Sequence, residues 1–162
     1  MSVDERMVHD IVQKVMANMQ ISGSVSGMHG VFKDMNDAIN ASIEAQKKVC
    51  TMTLDQREQI ISLIRKKTHE NAEILANMGV NETGMGNVGD KILKHHLTAD
   101  KVPGTEDIST IAWSGDRGLT LVEMGPFGVI GAITPATNPS ETVICNCIGM
   151  LAGGNTVVFN PH

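Results

Sequence analysis

From Met124 to His162 the chain carries a single charged side chain, Glu141. All the other members of its 13 Lys and Arg and 18 Asp and Glu lie in residues 1–123. A stretch so neutral belongs to an interior, because unpaired charges are excluded from interiors. Its internal pattern says which kind. Val129-Ile130-Gly131-Ala132-Ile133 is a continuous apolar run, as in a strand buried on both faces. Thr134 to Thr137 is a loop. Asn138-Pro139-Ser140-Glu141 starts a helix, with Asn at the N-cap, Pro at N1 and Glu at N3. That helix carries Val143, Ile144, Ile148 and Leu151, and Gly153-Gly154 ends it. Thr156-Val157-Val158-Phe159 is a second buried strand. Strand, helix and strand make one βαβ unit of a parallel sheet. The fold class is therefore α/β, with an incomplete sheet. The sequence stops just after the second strand, which leaves Thr156–Phe159 on an open edge prone to aggregation.

The residues before this unit read mostly as helix. Residues 3–19 form an amphipathic helix, with Val3, Met7, Val8, Ile11, Val12, Val15, Met16 and Met19 on one side and Arg6, His9, Asp10, Gln13 and Lys14 on the other. A flexible Ser/Gly linker follows over residues 21–30. A short helix on a linker either docks on its own domain or serves as a tag for a partner's groove. Residues 31–49 suggest a second helix, with Val31, Met35, Ala38, Ile39, Ser42 and Ala45 on one stripe. Thr53 and Gln56 make a capping box. It opens a third helix to about Met78, with Ile60, Ile61, Leu63, Ile64, Ile74 and Leu75 inward and Gly79 as C-cap. Arg65-Lys66-Lys67 reads as a solvated face. A further helix is expected over Asp90–His96, turn chemistry over Val102–Asp107 and a strand over Leu119–Met124, broken by Gly125-Pro126. The domain organisation is thus a helix over 1–20, a linker over 21–30 and a partial nucleotide-binding domain over 31–162.

Several functions are excluded. The net charge is −5 and no basic patch stands out, which argues against nucleic acid. No apolar run approaches the ~18 residues of a membrane span. Asp4 and Glu5 stand where a secretory signal would be basic, then apolar. Three cysteines without framework spacing indicate free thiols in a reducing, cytosolic compartment. Gly84-Met85-Gly86-Asn87-Val88-Gly89 matches the dinucleotide fingerprint, but a helix pattern precedes it where a strand is required, so we reject the match. His95 and His96 read as two surface histidines, without Cys, Asp or Glu at metal-ligand spacing. Cys145 and Cys147 lie in an apolar helix without a nearby cation in sequence, so neither is an activated nucleophile, and Cys50 is no better placed.

An open parallel sheet binds its ligands beyond the carboxyl ends of its strands. Two loops emerge there, Thr134 to Asn138 and Asn160-Pro161-His162. Asn138 has two readings: its side chain caps the helix, or its amide N–H donates to an oxyanion. An amide has both acceptor and donors, so the alternatives are compatible.

The stretches Glu123 to Pro135, Asn138-Pro139 and Ala152 to His162, together with Glu82-Thr83-Gly84-Met85-Gly86 and the helical run from Val31, resemble the aldehyde dehydrogenase superfamily. The resemblance is specifically to the CoA-acylating members of bacterial microcompartments, of the ethanolamine- and propanediol-utilisation types. Asn160 stands where hydrolytic members have a lysine, which favours the acylating branch. The resemblance implies an aldehyde-dehydrogenase-like fold, with N-terminal helices followed by the first βαβ unit of a Rossmann-type sheet. It implies oxidation of a short-chain aldehyde to acyl-CoA with NAD through a cysteine thioester, with coenzyme A as co-substrate. Asn138 matches the family's oxyanion-stabilising amide. Thr134, Pro135, Asn160 and Pro161 match positions lining the dinucleotide site. Helix 3–19 resembles the encapsulation peptides that dock on microcompartment shell proteins, which implies a place in the cytoplasm, within a microcompartment lumen. The resemblance also implies a homo-oligomer at full length. Family members are much longer, so the nucleophilic cysteine and general base are expected after His162 and the chain by itself is expected to be inactive. The alternative is a non-catalytic adaptor whose N-terminal helix docks on a shell.

Overall fold

The computed structural model describes residues 30–162. The helix expected over 3–19, and all but the last residue of the linker, lie outside the described residues. Among the described residues three helices come first: α1 (Met35–Val49), α2 (Leu54–Thr83) and α3 (Val88–Lys101). A 3-10 turn at Thr105–Asp107 leads to an antiparallel hairpin of β1 (Ile111–Gly115) and β2 (Gly118–Val122). The parallel pair β3 (Val129–Thr134) and β4 (Thr156–Pro161), joined through α4 (Pro139–Ala152), completes the expected βαβ unit. Among the described residues no helix is long and apolar enough to cross a membrane.

Local chemistry sets most of the helix ends. Thr53 accepts from the Gln56 backbone N–H at 3.2 Å, and the Gln56 side chain accepts from the Thr53 N–H at 3.0 Å, so the capping box is complete. Gly79 does not end this helix. It lies buried inside it, and α2 runs on to Thr83, where Gly84 at φ 66° takes the left-handed cap position and its N–H bonds to the Val80 carbonyl at 2.8 Å. Glycine supplies that conformation without a Cβ penalty. Gly84–Asn87 joins α2 to α3, helix to helix, as the rejection of the dinucleotide fingerprint requires.

The core forms where α2 meets α3 and α4. Ile61 and Ile148 are fully buried together with Ala152, and Ile64, Ile144, Leu151, Val102 and Ile108 pack around them. The buried stripe of α2 is Ile61, Thr68, Ala72, Ala76 and Gly79, mostly small residues. Ile60, Leu63 and Ile74, expected inside, are exposed. The apolar circumference of α2 is wider than the face its neighbours cover. Sequence periodicity reports the first of these, not the second.

Two arginines of α2 close the ends of neighbouring helices. Arg57 donates to the Ala152 carbonyl at the end of α4, at 2.6 Å. Arg65 donates to the carbonyls of Ala99 (2.9 Å) and Val102 (3.0 Å), at the end of α3. Helix C-termini leave carbonyls unpaired, and a guanidinium supplies several donors and a favourable charge there. Arg65 is thus half-buried rather than part of a solvated face. It also meets Glu106 at 3.2 Å. The Glu106 carboxyl is held below the ordinary 4.5 first by its own backbone N–H and that of Gly104, then by Arg65. A depressed folded-state value gives stability that is present above the unfolded-state value and lost as pH falls through the folded one. Glu106→Gln therefore destabilises the chain at neutral pH, and the difference from wild type shrinks below about pH 4.5. Urea midpoints against pH read this; a difference independent of pH would show that the carboxylate charge is irrelevant.

Around the parallel pair, side-chain amides replace missing backbone partners. Gln46 of α1 accepts from the Thr156 N–H at 2.7 Å and donates to the Gly154 carbonyl at 2.9 Å. Ser42 donates to the Thr156 hydroxyl at 2.9 Å. Asn155 accepts from the N–H groups of Phe127 (2.6 Å) and Gly128 (2.9 Å), fixing the approach to β3. The expectation that β3 is buried on both faces fails here: Ala132 and Thr134 are buried, but Ile133 is 78% exposed. Within the described residues the sheet has two strands, so each keeps an open edge. The strand expected over 119–124 is β2, and β1 is a strand the sequence does not predict. The hairpin stands exposed along both strands.

Candidate active site

The carboxyl ends of β3 and β4 lie side by side, with Thr134 in register with Pro161 and Ile133 with Asn160. Four of the five proposed site residues therefore meet in one place: Thr134 is buried, while Pro135, Asn160 and Pro161 next to it are exposed. Asn138 follows on the same loop as the N-cap of α4.

The two readings of Asn138 separate here. Its backbone carbonyl accepts the first bond of the helix, from the Thr142 N–H at 3.1 Å. Its side chain makes no capping hydrogen bond. The side-chain oxygen Oδ1 instead faces two ammonium groups, Lys94 Nζ at 3.3 Å and Lys91 Nζ at 3.5 Å. An ammonium only donates, so the amide oxygen must point toward α3. The NH₂ group is then left outside the cap, free to donate to a developing negative charge.

Beneath Asn138 lies a polar cluster that the sequence did not reveal. Lys91 is 3% exposed and donates to the Thr137 carbonyl at 2.5 Å. Glu141, the lone charge of the neutral segment, is also buried and lies 3.5 Å from Lys91 Nζ. His95 is fully buried, which corrects its assignment to the surface. Its Nδ1 is 2.7 Å from the Lys91 carbonyl, an acceptor, so Nδ1 carries a proton. Its Nε2 lies 2.8 Å from the Ser140 hydroxyl, which ties α3 to the first turn of α4. His96 is half-buried and pairs with His69, which in turn meets Asp100 at 2.8 Å. The signal for the cluster was present: Lys91 and His95 are one helical turn apart, and Glu141 stands alone among neutral residues. Its partners are distant in sequence, so the signal had no meaning until α3 and α4 were brought together.

Burial pushes the Cys147 thiol above its ordinary 9.0. A raised value leaves less thiolate, the reactive form. Iodoacetamide at neutral pH is expected to alkylate exposed Cys50 and Cys145 before Cys147, as read by peptide mass spectrometry. Equal rates would contradict the burial of Cys147.

The sequence profile of the aldehyde dehydrogenase family matches residues 14–162. The chain belongs to the aldehyde dehydrogenase family. Among its relatives within that family, an acetylating acetaldehyde dehydrogenase of Bilophila wadsworthia is 46% identical over 98% of this chain and 34% of its own length. A CoA-propanoylating propanal dehydrogenase of Salmonella typhimurium is 45% identical over 82% of this chain and 29% of its own length. The solved propionaldehyde dehydrogenase of the Clostridium phytofermentans fucose-utilisation microcompartment is 78% identical, with a TM-score of 0.79, over 82% of this chain and 31% of that one. The Rhodopseudomonas palustris propionaldehyde dehydrogenase, solved with bound CoA and an acylated cysteine, is 49% identical, with a TM-score of 0.80, over 84% of this chain and 31% of that one. An engineered glycolyl-CoA reductase at TM-score 0.80 was solved with NADP+. The chain thus spans about a third of the length of these aldehyde dehydrogenases.

Proposed function

We propose that this chain is the N-terminal third of a CoA-acylating aldehyde dehydrogenase that converts a short aldehyde, propanal foremost, to its acyl-CoA with NAD. One observation carries the reading: 78% identity to a microcompartment propionaldehyde dehydrogenase, with the same fold over 82% of this chain. The site supports it. Thr134, Pro135, Asn160 and Pro161 bind the dinucleotide where the two strands end, and between Thr134 and Ser140 no carboxylate opposes its phosphates. The nicotinamide supplies the hydride acceptor when bound. Asn138 donates its amide N–H to the oxygen of the aldehyde carbon as negative charge builds there. In this reading the nucleophilic cysteine and general base belong to the remainder of the enzyme.

NADH formation at 340 nm from propanal, NAD and CoA tests the activity of the full-length product, with acyl-CoA identified by mass. NADH formed equally well without CoA, with free acid as the product, would refute the acylating reading. Residues 1–162 alone should give no turnover, because nucleophile, cofactor and substrate are not assembled together.

Residues 3–19 dock the enzyme on a microcompartment shell protein in this reading. Its amphipathic pattern and the microcompartment origin of the solved relative support this. Deleting residues 1–20 abolishes co-purification with the shell and leaves turnover intact; retained co-purification would refute the tag.

A further inference from the structure

An asparagine amide has nearly identical outlines either way round, and its partners decide which end faces a reactant. At Asn138 the partners are Lys94, on the surface, and Lys91, in the interior. Water competes with an exposed ammonium for the amide oxygen and does not reach a buried one. The lasting hold is therefore that of Lys91. Taking an ammonium out of water is costly unless charge and hydrogen bonds replace the water. Lys91 is compensated by the Thr137 carbonyl at 2.5 Å and by Glu141 at 3.5 Å. Glu141 Oε1, the oxygen nearest Lys91, is buried and makes no hydrogen bond, so it serves the lysine through its charge. The Thr137 carbonyl immediately precedes Asn138 in the chain, so one ammonium fixes both the backbone before the amide and the amide itself.

We propose that Lys91 is a positioning residue for Asn138. Its buried ammonium holds Oδ1 inward and leaves both amide N–H bonds directed at the substrate side. The inference rests on the acylating dehydrogenase reading for what the amide does, and on geometry alone for which way it points. The ammonium also polarises the amide through its oxygen, which strengthens the N–H groups as donors.

The test is a double-mutant cycle in the full-length enzyme. Lys91→Met lowers kcat about tenfold, a part of the ~10²–10³-fold cost of losing such a donor outright, with little change in the KM for propanal. In an Asn138→Ala background the same change costs less than about twofold, because the group it positions is gone. An equal loss in both backgrounds overturns the proposal. Where the single variant fails to fold, Lys91→Met/Glu141→Gln removes both buried charges together and keeps the fold, as neutral replacements of buried pairs commonly do. That double variant loses kcat to the same extent; wild-type kcat in it also overturns the proposal. Neutron crystal structures, which tell the amide nitrogen from the oxygen, read the positioning without turnover. The Asn138 side chain changes its χ2 angle once Lys91 is gone, and an unmoved amide overturns the proposal whatever the rates. Absence of acyl-CoA formation by the wild-type enzyme refutes the dehydrogenase reading alone, and the amide orientation then decides this one.

Discussion

If Asn138 holds the oxyanion as proposed, Asn138→Ala in the full-length enzyme is expected to lower kcat by ~10²–10³-fold, with little change in the KM for the aldehyde. The side chain caps nothing, so its removal leaves the helix start intact and takes away one preorganised donor. The backbone carbonyl of residue 138 still accepts from Thr142, and Pro139 still opens α4. A donor that acts only once the oxygen becomes charged lowers kcat rather than ground-state binding. Asn138→Asp is expected to be at least as damaging. It keeps the shape and gains a pairing with Lys91 and Lys94, but it offers a carboxylate where the proposed role needs a donor. Stopped-flow or steady-state NADH formation measures both variants. A loss under about threefold in Asn138→Ala would remove the oxyanion role, since even a weak donor in a dry site contributes more.

Ile148→Ala destabilises the protein by ~2–5 kcal/mol. Ile148 is fully buried and packs with Ile61 and Ala152 where α4 crosses α2, so the truncation leaves a cavity its neighbours refill only in part. The same helix begins at Asn138, and its first turn carries the Ser140 bond to His95. Loosening its far end therefore also weakens the placement of the amide, so kcat falls along with the urea midpoint. Ile148→Val, a smaller loss, is expected to cost ~0.5–1.5 kcal/mol. A cost under 1 kcal/mol for Ile148→Ala would put the α2–α4 seam outside the cooperative unit.

Local signals transferred well from sequence to structure. The capping box at Thr53 and Gln56 formed as written because its partners lie within one turn. The strand, helix and strand from Val129 to Phe159 formed because period, length and punctuation agree over a short span. The same pattern brings Thr134, Asn138 and Asn160 to one end of the parallel pair, where we propose the site. The extent of burial did not transfer. The sequence predicts a cap at Gly79 where the left-handed residue is Gly84, and it predicts Ile60, Leu63 and Ile74 inside a helix whose neighbours cover other positions.

What the sequence determined by itself is the helices of the described residues, the βαβ unit and the family. Each depends on residues within one element or one connection. What only the tertiary structure decided is the state of the charged and polar side chains. Arg65 was placed on a solvated face, His95 on the surface and Asn138 between two roles. Their partners are Val102, Ser140 and Lys91 respectively, each more than thirty positions away. A buried polar group is stable only with a partner, and which partner arrives is fixed by how α2, α3 and α4 pack. No local pattern encodes that packing, because it arises from the sum of many contacts along all three helices.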